Sequence, residues 1–298
     1  MSNALDRETQ LSQAETDSLL QAVREQIANS NFDSSDRQIM QQMIESLGDS
    51  RGMVRFGFAE TLGEIGKPAI PFLLDALDNH TNPVVRRAAA KTLTLIADPI
   101  AVPTLVKSFL NDEDTVVKGS SVGALARTGV AAVPALLEIL ASPEQLESIK
   151  GHAAWALSFI GTEAKEYLYQ ALDSESSEVR AAILGAIAKI AQEESEQKAF
   201  DVLVNALDDT AENVRCEAAA LLGNLAYQPA FSHLVELLNH ENSESRKAAA
   251  LALMKIGDRG AIEPLQAALT KETEESAQRS MSLAISLLEK QLDDDDDW

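Results

Sequence analysis

Apolar positions along this chain recur with helical spacing, and the helical segments themselves recur. The pattern is anchored on a basic residue in a "V-R"-like dipeptide: Arg55, Arg86, Lys118, Lys150, Arg180, Arg215 and Arg246. Successive gaps are 31, 32, 32, 30, 35 and 31 residues. Seven residues after each base stands Leu62, Leu93, Leu125, Leu157, Ile187, Leu222 or Leu253, and eleven after comes only Gly or Ala: Gly66, Ala97, Gly129, Gly161, Ala191, Ala226 and Gly257. An apolar residue before the base, then others at +3, +7 and +10, makes one stripe on a helix. The small residue at +11 suits a helix end, where the backbone must turn.

A second helical segment follows in each unit, as in Ala69-Ile70-Pro71-Phe72-Leu73-Leu74. Pro71, and at the same position Pro103 and Pro134, fits a first helical turn, where no N–H is needed. Breaks at Asp78-Asn79, Asn111-Asp112, Asp173-Ser174 and Asp208-Asp209 end each unit, and these side chains are expected to cap the next helix. A helix pair of this size cannot bury its stripe alone, so neighbouring pairs must stack. The predicted fold is all-α, a right-handed superhelical solenoid (an α-α superhelix) of HEAT-like helix pairs. About seven repeats span 49–270, between helical caps at 14–48 and 271–292. Disordered ends are expected at 1–13 and 293–298, the latter acidic, with the whole forming one structural domain.

Composition narrows the classes. Aromatic residues are 4% of the chain against 45% hydrophobic, which favours helix over sheet. No uninterrupted apolar run reaches membrane-spanning length, and the N-terminus MSNALDRETQ lacks the basic and apolar regions of a secretory signal. A lone cysteine, Cys216, excludes an internal disulfide and points to a reducing, cytoplasmic setting. The formal charge of −22 repels phosphate backbones and anionic lipid, so nucleic acid and membrane insertion are not expected. A protein partner with a neutral or basic face is expected instead.

The units "NPVVRRAAAKTLTLIAD", "EDTVVKGSSVGALARTG" and "SEVRAAILGAIAKIA" resemble HEAT repeats of the short type found in cyanobacterial E/F-type phycobilin lyases and in the related NblB-like phycobiliprotein-handling proteins. The segment "KGHAAWALSFIG", Lys150 to Gly161, resembles that group in particular. The resemblance implies binding of phycobiliprotein subunits, or of their linear tetrapyrrole (bilin) chromophores, in attachment, detachment or chaperoning. It implies a transient bilin such as phycocyanobilin, with no tightly bound cofactor. Some relatives of this group act instead as scaffolds or iron–sulfur assembly partners, so a pigment-free scaffold stays open beside the first reading.

Four sets of residues carry candidate chemistry. His152, Trp155 and Phe159 share one helix face, where other repeats carry mostly small or polar side chains. They form either an aromatic anchor for a flat ligand or partner, or a filler between neighbouring helices. Phe72, Lys107, Tyr167 and His233 fall on second helices, which usually line the concave side of such stacks; they are groove contacts or a solvated face. The basic ladder, with Arg86, Arg87 and Lys91 its densest cluster, grips either carboxylates of a ligand or acids such as Asp49, Asp112 and Asp209 across a turn. Cys216 follows a ladder arginine near a helix start, which can lower a thiol pKa, and is otherwise a small helical residue. No catalytic set and no metal site is predicted: the four histidines show no metal-binding spacing.

Overall fold

The computed structural model describes residues 11–295. Among them the secondary structure is helical, without a strand. The helices alternate in pairs: α1 (Gln13–Ala28) and α2 (Arg37–Ser46), α3 (Gly52–Ile65) and α4 (Ile70–Asn79), α5 (Pro83–Ile96) and α6 (Val102–Asn111), α7 (Thr115–Thr128) and α8 (Val133–Ala141). They continue with α9 (Glu147–Ile160) and α10 (Lys165–Ala171), α11 (Ser177–Glu194) and α12 (Gln197–Asn205), α13 (Glu212–Asn224) and α14 (Phe231–Leu237), α15 (Ser243–Ile256) and α16 (Ile262–Leu269), then α17 (Glu275–Asp295). The protein is an all-α repeat solenoid, and each basic ladder residue lies on the first helix of a pair. Of the segments expected to be disordered, residues 1–10 and 296–298 lie outside the described residues; α1 begins at Gln13 and α17 continues to Asp295.

The contacts group into two compact units, Met1–Ala135 and Leu136–Trp298, where the repeat pattern suggests a single domain. In a chain whose repeats touch mainly their neighbours, no one centre gathers all contacts. In the first unit α5 packs on α3 and α7, and α4 on α5. Phe58, Leu62, Leu73, Leu93, Leu105 and Phe109 are buried there. In the second, α9, α11, α13, α15 and α17 pack in succession over Leu157, Ile183, Ile187, Leu222 and Leu253. The +7 residue is therefore buried in every repeat, as an inward stripe requires.

The +11 residues end the first helices as expected, with one exception. Gly66, Ala97, Gly129, Gly161, Ala226 and Gly257 all have positive φ. Ala191 instead lies inside α11, which runs one turn further to Ser195 at φ 51°. That added turn accounts for the long 35-residue gap.

The break acids do not cap helices as predicted. The N-caps are Asn82, Asp114 and Ser176, which accept from the amides of Val84, of Val116 and Val117, and of Val179. Asp112 and Asp209 lie before the next helix and accept from the amides of Asp114 and Ala211, at 2.8 Å each. Their remaining capacity goes to ladder arginines, described below.

Thr115–Ala141 reaches a mean hydropathy of 1.6, enough by composition alone for a membrane span, although Lys118, Arg127 and Glu138 interrupt its apolar run. It is divided at Gly129 (φ 75°) into α7 and α8, of 14 and 9 residues. Neither reaches the about 20 residues a spanning helix needs.

Candidate functional site

Helix α9 places the aromatic candidates. Ala153, Ala156, Leu157 and Ile160 take its buried face. The i, i+3, i+7 spacing then forces His152, Trp155 and Phe159 outward, and all three are exposed. Trp155 and Phe159 keep 50% and 48% of their surface open to solvent, with ring centroids 5.8 Å apart and planes inclined by 36°. Lys189 of α11 sits 5.9 Å over the Phe159 ring and donates to the Ser158 carbonyl. His152 hydrogen-bonds the Ser148 carbonyl through Nδ1 at 2.6 Å. About half of each ring's surface is thus covered by its neighbours and half stands open to solvent.

Trp155 also borders a groove of about 410 Å³ laid across α9, α11 and α13. Its small residues include Gly151, Ala154, Ala181, Ala182 and Gly185, and its polar rim includes Glu147, Lys150, Glu178, Asn213 and Glu217. Lys150, the ladder residue of this repeat, is buried at 6% exposure, and its Nζ lies 2.5 Å from Glu178 Oε2. Glu217 has no hydrogen-bonding or ionic partner among the described residues. Desolvation pushes its carboxyl above the usual value. These residues escaped the sequence reading. The available signal was the interior glycines Gly151 and Gly185, which a helical pattern admits only at a cost.

The second-helix candidates are not gathered into one site. Phe72 is half-buried on α4 with the Arg37 guanidinium 5.9 Å over its ring, bordering an open groove of about 640 Å³ with Ser35, Gln38 and Asp75. Lys107 on α6 is exposed and pairs with Asp78 at 3.0 Å. Tyr167 on α10 and His233 on α14 are exposed in the second unit. Near them lies a cluster the sequence did not flag. Lys165 Nζ bridges Glu194 and Glu196 at 3.2 and 2.6 Å, Lys198 sits 4.0 Å over the Tyr169 ring, and Phe200 stacks on Tyr227 at 4.2 Å.

The ladder is occupied within the protein. Arg86 makes a two-pronged contact to Asp112, Nε at 2.8 Å and Nη2 at 2.9 Å, while Nη1 donates to the carbonyls of His80 and Thr81. Arg180 repeats this with Asp209, Ser174 and Glu175, and Arg246 with Glu272, His240 and Glu241. Arg55 and Arg215 keep the carbonyl contacts, and Lys118 donates to the Leu110 carbonyl. Asp49 offers Arg55 its carbonyl, while its carboxylate is taken by Arg51. Arg87 is paired with Asp114, whose carboxyl it holds at about 2. A guanidinium fork matched to a carboxylate in the next repeat is a strong, directional contact, and it leaves these side chains little to offer a ligand.

Cys216 is half-buried, and burial, with Glu212 and Glu244 nearby, pushes its thiol up rather than down. Arg215 lowers it by less. A thiol in that state is a poor nucleophile. Among the described residues no three His, Cys, Asp or Glu side chains converge as a metal site.

Stacked helix pairs with one ladder base per pair define a HEAT-repeat protein, and models of HEAT repeats match residues 70–158, 133–213 and 200–286. A model of the PBS lyase HEAT-like repeat matches residues 54–79. The bilin biosynthesis protein MpeU of Synechococcus sp. (strain WH8020) is 38% identical over 281 residues, 94% of this chain and 95% of that protein. The chain thus belongs to the phycobilin lyase-like family of HEAT-repeat proteins. The bilin biosynthesis protein PecE of Mastigocladus laminosus is 32% identical over 46% of this chain and 50% of its own length. Among solved structures, the karyopherin Kap121p bound to the extreme C-terminus of the protein phosphatase Cdc14p aligns with a TM-score of 0.59 at 13% identity, over 95% of this chain and 38% of that one. That likeness concerns the fold alone.

Proposed function

We propose that this protein handles the chromophores of phycobiliproteins, engaging a phycobiliprotein subunit and a transient linear tetrapyrrole during attachment, detachment or chaperoning of the pigment. The observation that carries this reading is the near full-length identity to a protein named for bilin biosynthesis. The surface of α9 supports it: two adjoining aromatic rings, half-exposed beside a groove, are what a flat conjugated ligand or a partner's hot spot would use. Trp155 and Phe159 are the principal contacts, with His152 at the edge. Phe72, Tyr167, His233 and Lys107 are secondary contacts on second helices. Arg86 and Arg87, held by Asp112 and Asp114, shape the stack and leave pigment contact to the other groups.

The experiment mixes the full chain with phycocyanobilin and an apo-phycobiliprotein subunit, and separately with the pigmented subunit, and follows visible absorbance of the covalent adduct. A rate of attachment or release changed from the spontaneous one is expected, and Trp155→Ala should remove most of the change. Unchanged rates in both directions, together with no complex on gel filtration, would overturn the reading.

A further inference from the structure

The groove across α9, α11 and α13 has a floor, a wall and a charge, and each restricts what fits. The floor is bare backbone: a Cβ built on Gly151 meets nothing within 4 Å, and one on Gly185 meets only Ser158 Oγ at 3.6 Å. Glycine inside a helix costs roughly 0.5–1 kcal/mol relative to alanine. No close approach within the protein explains that cost at Gly151. The wall is the half-exposed Trp155 ring. The charge is negative: Glu147, Glu178 and Glu217 face the groove, and the single cation, Lys150, is already bound to Glu178. Glu217 is the carboxylate without a partner. An anionic planar ligand is repelled here, whereas a planar group with a cationic N–H face is matched.

We propose that this groove is the subsite for the nitrogen face of an open-chain tetrapyrrole, with Glu217 as the counter-ion of the protonated pyrrole system and the two propionates pointing out to solvent. This rests on the chromophore-handling reading and specifies how the pigment lies. Protonation places one proton from water on the imine nitrogen, so that the ring nitrogens become N–H donors sharing one positive charge; no bond to carbon forms or breaks. The conjugated plane lies over Gly151 and Gly185 against Trp155. The same acids that attract the nitrogens repel the propionates, which fixes the orientation.

The test titrates phycocyanobilin alone into the full-length protein and records its visible spectrum. The expected result is an intensified, red-shifted long-wavelength band, the signature of the cationic pigment. Glu217→Gln should bind roughly tenfold more weakly, as loss of a charge-assisted hydrogen bond predicts, and lose the red shift. Glu236→Gln, an exposed acid on α14, should behave as the unmodified protein. Gly151→Leu, placed where there is open space and hence compatible with folding, should abolish the spectral change by occupying the floor. An unaltered spectrum and affinity in Glu217→Gln, or no pigment binding at all, overturns the proposal. Chromophore transfer to or from a phycobiliprotein subunit that proceeds equally with the parent protein and Glu217→Gln would sink this subsite while upholding the broader function.

Discussion

At Ala97 and Ala226 an L-residue holds the backbone at φ 53° and 47°, where four other repeats carry Gly66, Gly129, Gly161 and Gly257. The left-handed region costs a residue with a Cβ roughly 1–2 kcal/mol. Ala97→Gly should therefore raise stability by about 1 kcal/mol, less the entropy glycine returns to the unfolded chain, measured by urea denaturation. Two other glycines should answer in opposite ways. A Cβ at Gly223 meets the Ala252 Cα at 2.8 Å, so α13 and α15 must move apart, and Gly223→Ala should destabilise by about 1–3 kcal/mol. Gly151→Ala meets nothing and should stabilise by about 0.5–1 kcal/mol. The reverse order in paired denaturation curves would refute the packing described for both helices. Residue spacing alone revealed the turn at +11, because one backbone geometry must recur in every unit. It could not tell Gly223 from Gly151, since both lie inside helical patterns and only the partner helix distinguishes them.

Between elements, the ladder explains how successive pairs keep register. Each arginine of the type seen at Arg86, Arg180 and Arg246 closes the loop before its own helix with one nitrogen and holds an acid of the following unit with two others. The sequence showed both partners, bases at a fixed period and acids at the breaks, and offered the acids two roles, pairing with the ladder across the turn and capping the next helix. The structure gives capping to Asn82, Asp114 and Ser176 and leaves Asp112 and Asp209 to the arginines. Helix propensity cannot decide this, because an Asx side chain two residues earlier satisfies a turn equally well. The Arg246–Glu272 contact makes the consequence measurable. The Arg246 guanidinium holds the Glu272 carboxyl at about 2, against 4.5 for a free glutamate. Its folded pKa is depressed, so its stabilisation is complete above pH 4.5 and is lost as pH falls toward 2. Glu272→Gln should cost about 1–3 kcal/mol at pH 7, because the partly buried Arg246 guanidinium loses its charged acceptor. The same variant should lose less stability than the parent between pH 5 and pH 3 in urea titrations; equal losses would show that this pair does not contribute to acid sensitivity.

Over the whole molecule the fold was far more legible than the site. A period repeated seven times gives seven independent readings of the same burial, whereas a binding surface is written once. The aromatic face of α9 stood out because the other repeats lack it, and the structure places Trp155 and Phe159 together on the surface. Of the acids lining the groove beside Trp155, Glu178 and Glu217 come from α11 and α13, whose side-by-side placement only packing reveals. Charge, in contrast, can be counted without any structure: 47 acidic against 25 basic residues. Many of those bases are committed to close pairs such as Arg86–Asp112 and Arg180–Asp209, so the excess acids remain on the surface and repel one another. Raising ionic strength from about 0.01 M to about 0.15 M shortens the screening length from roughly 30 Å to roughly 8 Å. That change removes most of the long-range repulsion while leaving partly buried contacts below 3 Å nearly intact. The melting temperature followed by helical circular dichroism should consequently rise with sodium chloride across this range. A fall would mean that ion pairing between repeats outweighs surface repulsion, and that the acidic excess is neutralised locally rather than carried as a net field.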